Sequence, residues 1–251
     1  MEIKVGSTFT GRKNSYIVMG QFGALGRSFL LKDPAGERKY ILKVGGPRFN
    51  VEGYTRIKAA DETIPGFIEM GRTAEDNTPF RIMAYKEGVS LSEIERIDLK
   101  NITTVFSECF RILSLYEQNK LLHGNVKPGN VIYDPAEKMA RTYLVDPILF
   151  DTTTCGVLAN PQGDKMYTPF EEIGGYLGVT RDVFGAGRTI LQFFADKRDF
   201  IDGLTDAFLD RIRAFSDIAV AAEPAKRFQT VREMRRGFDQ GILSKLWSEK
   251  D

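Results

Sequence analysis

The sequence predicts an α+β chain in two parts, a small β-rich N-terminal part and a larger helical C-terminal part. Up to about residue 85, short β-prone runs alternate with glycine-rich and Asp-Pro-Ala-Gly turns. From Leu91 onward apolar residues recur at helix spacing. Ala84–Gly88 is the natural connection, which divides the chain into residues 1–84 and 85–251 of one domain, with a hinge at about 84–88.

In the first part, Ser15–Met19, Ser28–Lys32 and Lys39–Val44 read as strands, the last two separated by Asp33-Pro34-Ala35-Gly36. A helix is expected over Phe49–Ala60. Two further strands are expected over Phe67–Met70 and Phe80–Ala84. In the second part, Ile102–Asn119 carries Val105, Phe106, Cys109, Ile112, Leu113 and Tyr116 on one helical stripe. Phe184–Ala195 and Leu204–Ala221 follow the same rule. A ligand site is expected in the cleft between the two parts.

Composition narrows the function classes. The 251 residues are 42% hydrophobic and 27% charged, enough for a buried core. The net charge of +1 gives no field for nucleic acid or a membrane surface. No run of about 18 apolar residues is present, and the N-terminus has no apolar signal core, so a cytoplasmic protein is expected. Export by a dedicated secretion system would leave no legible signal. Cys109 and Cys155 have no metal-ligand spacing and read as idle thiols in a reducing compartment.

Several segments carry chemistry. Gly20 and Gln21-Phe22-Gly23-Ala24-Leu25-Gly26 place glycines between two strands. Such a loop can bring backbone N–H groups close to phosphates; alone, it also describes a simple hairpin turn. Lys43 lies in the apolar strand Tyr40-Ile41-Leu42-Lys43. A buried ammonium needs a partner, which a nucleotide phosphate and a carboxylate would supply; a surface lysine would snorkel instead. Glu52 is the nearest helical carboxylate, and Glu62 is a weaker one because Ile64-Pro65 ends the helix.

The most informative stretch is His123-Gly124-Asn125-Val126-Lys127-Pro128-Gly129-Asn130, which contains the chain's single histidine. It resembles the catalytic loop of protein kinases, and most closely the His-Gly-Asp-X-Lys-Pro-X-Asn form of bacterial serine/threonine kinases. Tyr143-Leu144-Val145-Asp146, ending 16 residues after Asn130, resembles the strand that leads into the family's metal-binding aspartate. Gly163–Glu171 resembles the end of the activation segment. Arg181-Asp182-Val183-Phe184-Gly185-Ala186-Gly187 resembles the helix start whose aspartate holds the catalytic loop. Ala225–Thr230 resembles the motif whose arginine pairs with the activation-segment glutamate. Lys43 follows Gly26 by 17 residues, which fits the family spacing. The resemblance runs from Gly6 to about Phe238.

What the resemblance implies is a bilobal protein-kinase fold that binds ATP and Mg²⁺. Gly20, Gly23 and Gly26 would cover the phosphates, and Lys43, oriented by Glu52, would hold them. Met83 would be the gatekeeper, with the backbone around Tyr85 at the adenine edge. Asn130 and Asp146 would hold the metal, since amide and carboxylate oxygens suit a hard cation. Lys127 would contact the transferred phosphate, and the substrate would be a hydroxyl of a protein partner.

The departures are as specific. Asn125 stands where the family has the aspartate that accepts the substrate proton, and an amide, native or introduced, takes no proton at neutral pH. Gly124 replaces an arginine that reads a phosphorylated activation loop. Pro147-Ile148 follows the metal aspartate in place of Phe-Gly. Ser28 stands where a valine covers the adenine, and Phe170 interrupts the Ala-Pro-Glu pattern. Two functions follow from different classes: a serine/threonine protein kinase weakened at its base, and a silent pseudokinase that serves as a nucleotide-binding scaffold. Other transfer chemistry, such as nucleotidyl transfer, would require a rearranged phosphate site, and Lys43, Asn130 and Asp146 are in ordinary order.

Overall fold

The computed structural model describes residues 3–22, 26–46, 50–136, 141–148, 150–152, 156–157, 164–173 and 176–248. The chain forms two compact units: residues 1–58 with 65–86, and residues 59–64 with 87–251.

The first unit is built on a six-stranded antiparallel sheet. Its strands are β1 (Thr8–Thr10), β2 (Ser15–Phe22), β3 (Ser28–Lys32), β4 (Lys39–Val44), β5 (Phe67–Arg72) and β6 (Pro79–Ala84), in the order β1-β2-β3-β4-β6-β5. Alternation assigns the two faces. Phe29, Leu31, Leu42, Phe80 and Ile82 share one face, and with Phe9, Tyr16 and Val18 they form a buried core. Ser28, Ile41, Lys43, Arg81 and Met83 share the opposite face. The helix α1 (Val51–Ala60) starts later than the apolar pattern suggests, because the Asn50 side chain caps it by accepting the Gly53 N–H at 2.9 Å. Its Tyr54 and Ile57 are fully buried.

This unit also holds a buried carboxylate that the sequence does not announce. Glu69, 3% exposed, accepts the N–H groups of Arg12 and Lys13 at 2.8 and 2.9 Å and the Tyr16 hydroxyl at 2.8 Å. Burial and the Glu69 bond push the Tyr16 hydroxyl up to about 12. Gly11 is required beside it, since a β-carbon there would meet the Glu69 Oε1 at 2.4 Å.

The second unit is mainly helical, but short strands interrupt the pattern from Leu91 onward. β7 (Val89–Ser90), β10 (Val131–Asp134) and β11 (Arg141–Leu144) form a three-stranded sheet, β8 (Ile97–Asp98) precedes α2 (Leu99–Gln118), and β9 (Leu121–Leu122) follows it. α2 starts three residues before Ile102 because the Asp98 carboxylate caps it through the Asn101 N–H, at 2.8 Å. Next come α3 (Phe170–Ile173), α4 (Arg181–Asp196), α5 (Asp206–Ala219, capped by Thr205) and α6 (Val231–Phe238, capped by Thr230). Phe106, Phe110, Phe193, Phe208 and Phe238 interlock as a dry aromatic centre; the Phe110 and Phe238 rings meet edge-on at 5.2 Å. Gly187 lets α4 press against α5, because a β-carbon there would come within 2.6 Å of the Ala219 methyl. Arg111 of α2 grips the segment at 59–64, with its guanidinium on the Asp61 carboxylate. Among the described residues, no helix is long and apolar enough to cross a membrane.

Candidate functional site

In the second unit the segment from His123 to Asn130 follows β9 and is held from below by α4. Asp182, 2% exposed, accepts the His123 N–H at 2.7 Å and the Gly124 N–H at 2.8 Å. Burial pushes its carboxyl up to about 6, while the two backbone donors pull it down. The guanidinium of Arg181, one residue earlier, donates to the Gly124 carbonyl through Nε at 2.8 Å and Nη2 at 2.5 Å. Burial lowers the Arg181 guanidinium to about 10. Its remaining nitrogen pairs with the fully buried Glu172 of α3. Loop N–H and C=O groups on both sides of Gly124 are therefore tied to one helical turn. Gly185 leaves room for the loop, since a β-carbon there would stand 3.2 Å from the Val126 carbonyl.

The imidazole of His123 is fully buried against Tyr116, with ring centres 5.3 Å apart, and its carbonyl accepts the Ile148 N–H at 2.8 Å. That bond draws the segment after β11 alongside the loop. Asn125 then meets Asp146: its Nδ2 donates to the Asp146 carbonyl at 2.9 Å and to the Asp146 carboxylate at 3.2 Å. Asn130, 7% exposed, donates its Nδ2 to the Asn125 carbonyl at 2.8 Å, and its own carbonyl accepts the Val145 N–H at 2.9 Å. Asp146 has φ +59°, a left-handed conformation in a residue that precedes proline. Such strain costs about 1–3 kcal/mol and persists only where surrounding bonds over-determine it. The two Asn125 bonds are of that kind. Lys127 reaches the Asp164 carboxylate at 3.5 Å. Beside it a groove of about 270 Å³ is bounded by Tyr167, Gln192 and Asp196.

The residues of this unit singled out in the sequence thus come together: Asn125, Asn130 and Asp146 share one hydrogen-bonded cluster, with Lys127 on the same loop. Asn130 turns its amide nitrogen into the loop, toward the Asn125 carbonyl, which leaves its side-chain oxygen to offer a cation. One carboxylate and one amide oxygen fit Mg²⁺, which takes few protein ligands and completes its shell with phosphate and water.

In the first unit Lys43 lies half-buried in β4, directly opposite Arg81 of β6 and Ser28 of β3. Met83, 7% exposed, sits opposite Ile41 one row away. The Tyr85 N–H is spent on the Lys39 carbonyl at 3.2 Å, and the Lys39 ammonium lies over the Tyr85 ring. Gly20 lies inside β2 at a bulge, paired with Leu30, rather than in a loop. Gly26 takes φ +60°, and its carbonyl accepts the Gln21 amide at 2.8 Å. Gly23 lies outside the described residues.

Glu52 departs from expectation. Its side chain is 87% exposed and pairs with Arg56 at 3.4 Å, so it does not turn to Lys43. Helix phase is the reason: Tyr54 and Ile57 occupy the buried stripe, and a residue two positions before Tyr54 falls on the far side. Sequence reasoning also missed Arg81, Arg181 and Glu172. A charged residue inside an apolar run, as in Phe80-Arg81-Ile82-Met83, was the available signal for Arg81. Arg227 of the late motif is bidentate to Glu171, at 2.6 and 3.0 Å, with its side chain fully buried.

No known protein-family model matches the chain, and no curated protein matches it in sequence. Its fold is that of the Cydia pomonella granulovirus kinase PK-1, with a TM-score of 0.64 over 87% of this chain and 92% of that one, at 14% identity. The chain therefore has the protein-kinase fold.

Asp182→Ala leaves two buried loop N–H groups without an acceptor, at about 1–3 kcal/mol each. The expected outcome is a lower melting temperature with faster amide exchange at His123 and Gly124. Unchanged exchange at these two amides would show that Asp182 does not hold the loop.

Proposed function

We propose that the chain is an ATP-binding protein of the protein-kinase type whose phosphoryl transfer to protein hydroxyls is weakened at Asn125. The observation that carries this reading is the cluster of Asn125, Asn130 and Asp146, held on a loop that Asp182 and Arg181 fix from below. Lys43 would hold the nucleotide phosphates. Asn130 and Asp146 would offer oxygens to Mg²⁺, which when bound neutralises the charge that develops on phosphoryl oxygens. Lys127 would contact the transferred group. Gly124 lacks a side chain to read a phosphate on the activation segment, and Arg181 already occupies its carbonyl, so switching by that phosphate is not part of this reading.

Asn125 can orient a substrate hydroxyl through its side-chain oxygen but cannot take its proton. A second reading, the silent nucleotide-binding scaffold, is favoured by the direction of its amide. Both Nδ2 bonds point at Asp146, so a carboxylate at 125 would face a carbonyl and a carboxylate instead of donating to them.

Millimolar Mg-ATP is expected to raise the melting temperature, since binding at 100 times Kd stabilises the folded state by about 2.7 kcal/mol. Asp146→Ala should remove the metal dependence of the shift, and Lys43→Met should weaken binding. Absence of both a melting shift and a calorimetric signal with native protein would refute nucleotide binding.

General-base catalysis contributes about 10²–10⁴-fold, and kinases turn over at about 1–100 s⁻¹, so the chain should transfer phosphate at about 10⁻⁴ to 1 s⁻¹. Asn125→Asp should raise that rate by at least about a hundredfold. Labelled ATP with the Asp146→Ala protein as blank gives the readout. A variant that binds Mg-ATP and remains silent would establish the scaffold reading instead.

A further inference from the structure

We infer that the groove beside Lys127 is a specificity subsite for a protein substrate, and that Asp196 reads there an arginine close in sequence to the phosphate acceptor. This deepens the phosphoryl-transfer reading above and rests on it for the acceptor, though not for the docking of a cationic side chain.

The groove, of about 270 Å³, lies wholly in the second unit. Leu91 and Phe193 contribute apolar surface to it, and Tyr167, Gln192 and Asp196 contribute polar groups. Its two lysines are already engaged. Lys127 pairs with the Asp164 carboxylate at 3.5 Å, and the Lys197 ammonium lies over the Phe200 ring, 5.8 Å from its centre. Asp196 differs from Asp164. Its carboxylate accepts the neutral Gln192 amide at 2.6 Å, and among the described residues no lysine or arginine forms an ion pair with it. Burial raises the Tyr167 hydroxyl above its ordinary pKa, and the Asp164 and Asp196 carboxylates add to the rise against the opposing charge of Arg188. Both carboxylates therefore act on one side of the groove. Helix stability does not explain Asp196. It is the last residue of α4, where the helix dipole favours a cation, and no basic residue stands in that turn.

The chemistry of the groove selects its ligand. Among the described residues no three histidine, cysteine or acidic groups lie together as a metal site. A long cationic side chain suits the groove instead, because its methylene stem covers apolar surface while its head meets the carboxylate. Arginine suits it best. Its planar fork carries five donors, and Asp196 with the Gln192 amide oxygen supplies adjacent acceptors. Lys127, which would contact the transferred group, also borders the groove, so the arginine belongs to the same peptide segment as the acceptor hydroxyl.

The test uses serine peptides of alanine and glycine that carry one arginine at successive distances from the serine, with citrulline or glutamate in its place as controls. Transfer is read with labelled Mg-ATP, and binding by fluorescence polarisation of the labelled peptides. The chain and its Asn125→Asp form should prefer one arginine peptide over its citrulline twin by about ten- to a hundredfold in kcat/KM, through KM. Asp196→Asn should abolish that preference. Asp196→Lys should reverse it toward glutamate while melting no lower than the parent chain. Equal rates for the arginine, citrulline and glutamate peptides would overturn the proposal and leave the transfer reading standing, as would a preference that survives in both Asp196 variants. Preferential binding of the arginine peptide, lost in Asp196→Asn, with no transfer by either form, keeps the subsite and refutes the transfer reading. Absence of both binding and transfer refutes both. If both Asp196 variants unfold by circular dichroism, Asp196 is structural and the proposal falls.

Discussion

Asp182 accepts hydrogen bonds from two consecutive backbone N–H groups, those of His123 and Gly124, and the candidate site of the second unit takes its shape from there. The carboxylate is enclosed at the start of α4, whose residues 181–187 are all buried. An ionised carboxylate is costly to bury, which is why its pKa rises, and it is tolerated because the peptide N–H groups supply the partners that water would. With His123 and Gly124 fixed, the His123 carbonyl can take the Ile148 N–H, and the segment bearing Asp146 is drawn beside Asn125. Each bond presupposes the previous one, so the positions of Asn125, Asn130 and Asp146 trace back to one aspartate on a rigid helix.

Around this anchor, arginines couple neighbouring segments. Arg181 bridges the Gly124 carbonyl and Glu172, and Arg227 grips Glu171 next door. Breaking a buried pair by removing one partner typically costs about 3–5 kcal/mol, so α3 is bound firmly to α4 and to the segment before α6. A loop held this way on both its N–H and C=O sides is ordered without added charge.

Much of this was legible in the sequence because it resides in local pattern. The eight residues from His123 to Asn130 identify the loop, and the apolar run ending in Asp146 identifies its neighbour. The helices at 102–119, 184–195 and 204–221 follow from apolar spacing, with boundaries moved by caps such as Asp98 and Thr205. What was not legible depends on facing. Glu52 was the nearest carboxylate in sequence, but about half a turn of helix phase, set by Tyr54 and Ile57, sends it to solvent. Arg81 and Lys43 are 38 positions apart in the chain and meet only through strand register, which no local pattern records. The Glu69 cluster is hidden for the same reason, since its partners Arg12, Lys13 and Tyr16 come from the other end of the unit.

The central claim is that the fixed loop and Asp146 present a metal–nucleotide site, and paramagnetic NMR tests it most directly. Mn²⁺ replaces Mg²⁺ on the nucleotide and broadens amide resonances with a steep distance dependence, most strongly for the groups nearest the metal. With Mn-ATP the account predicts the strongest broadening at Asn125, Asn130, Val145 and Asp146, lost in Asp146→Ala. Broadening confined to exposed carboxylates such as Glu75 and Asp199, or no broadening at saturating Mn-ATP, would contradict it.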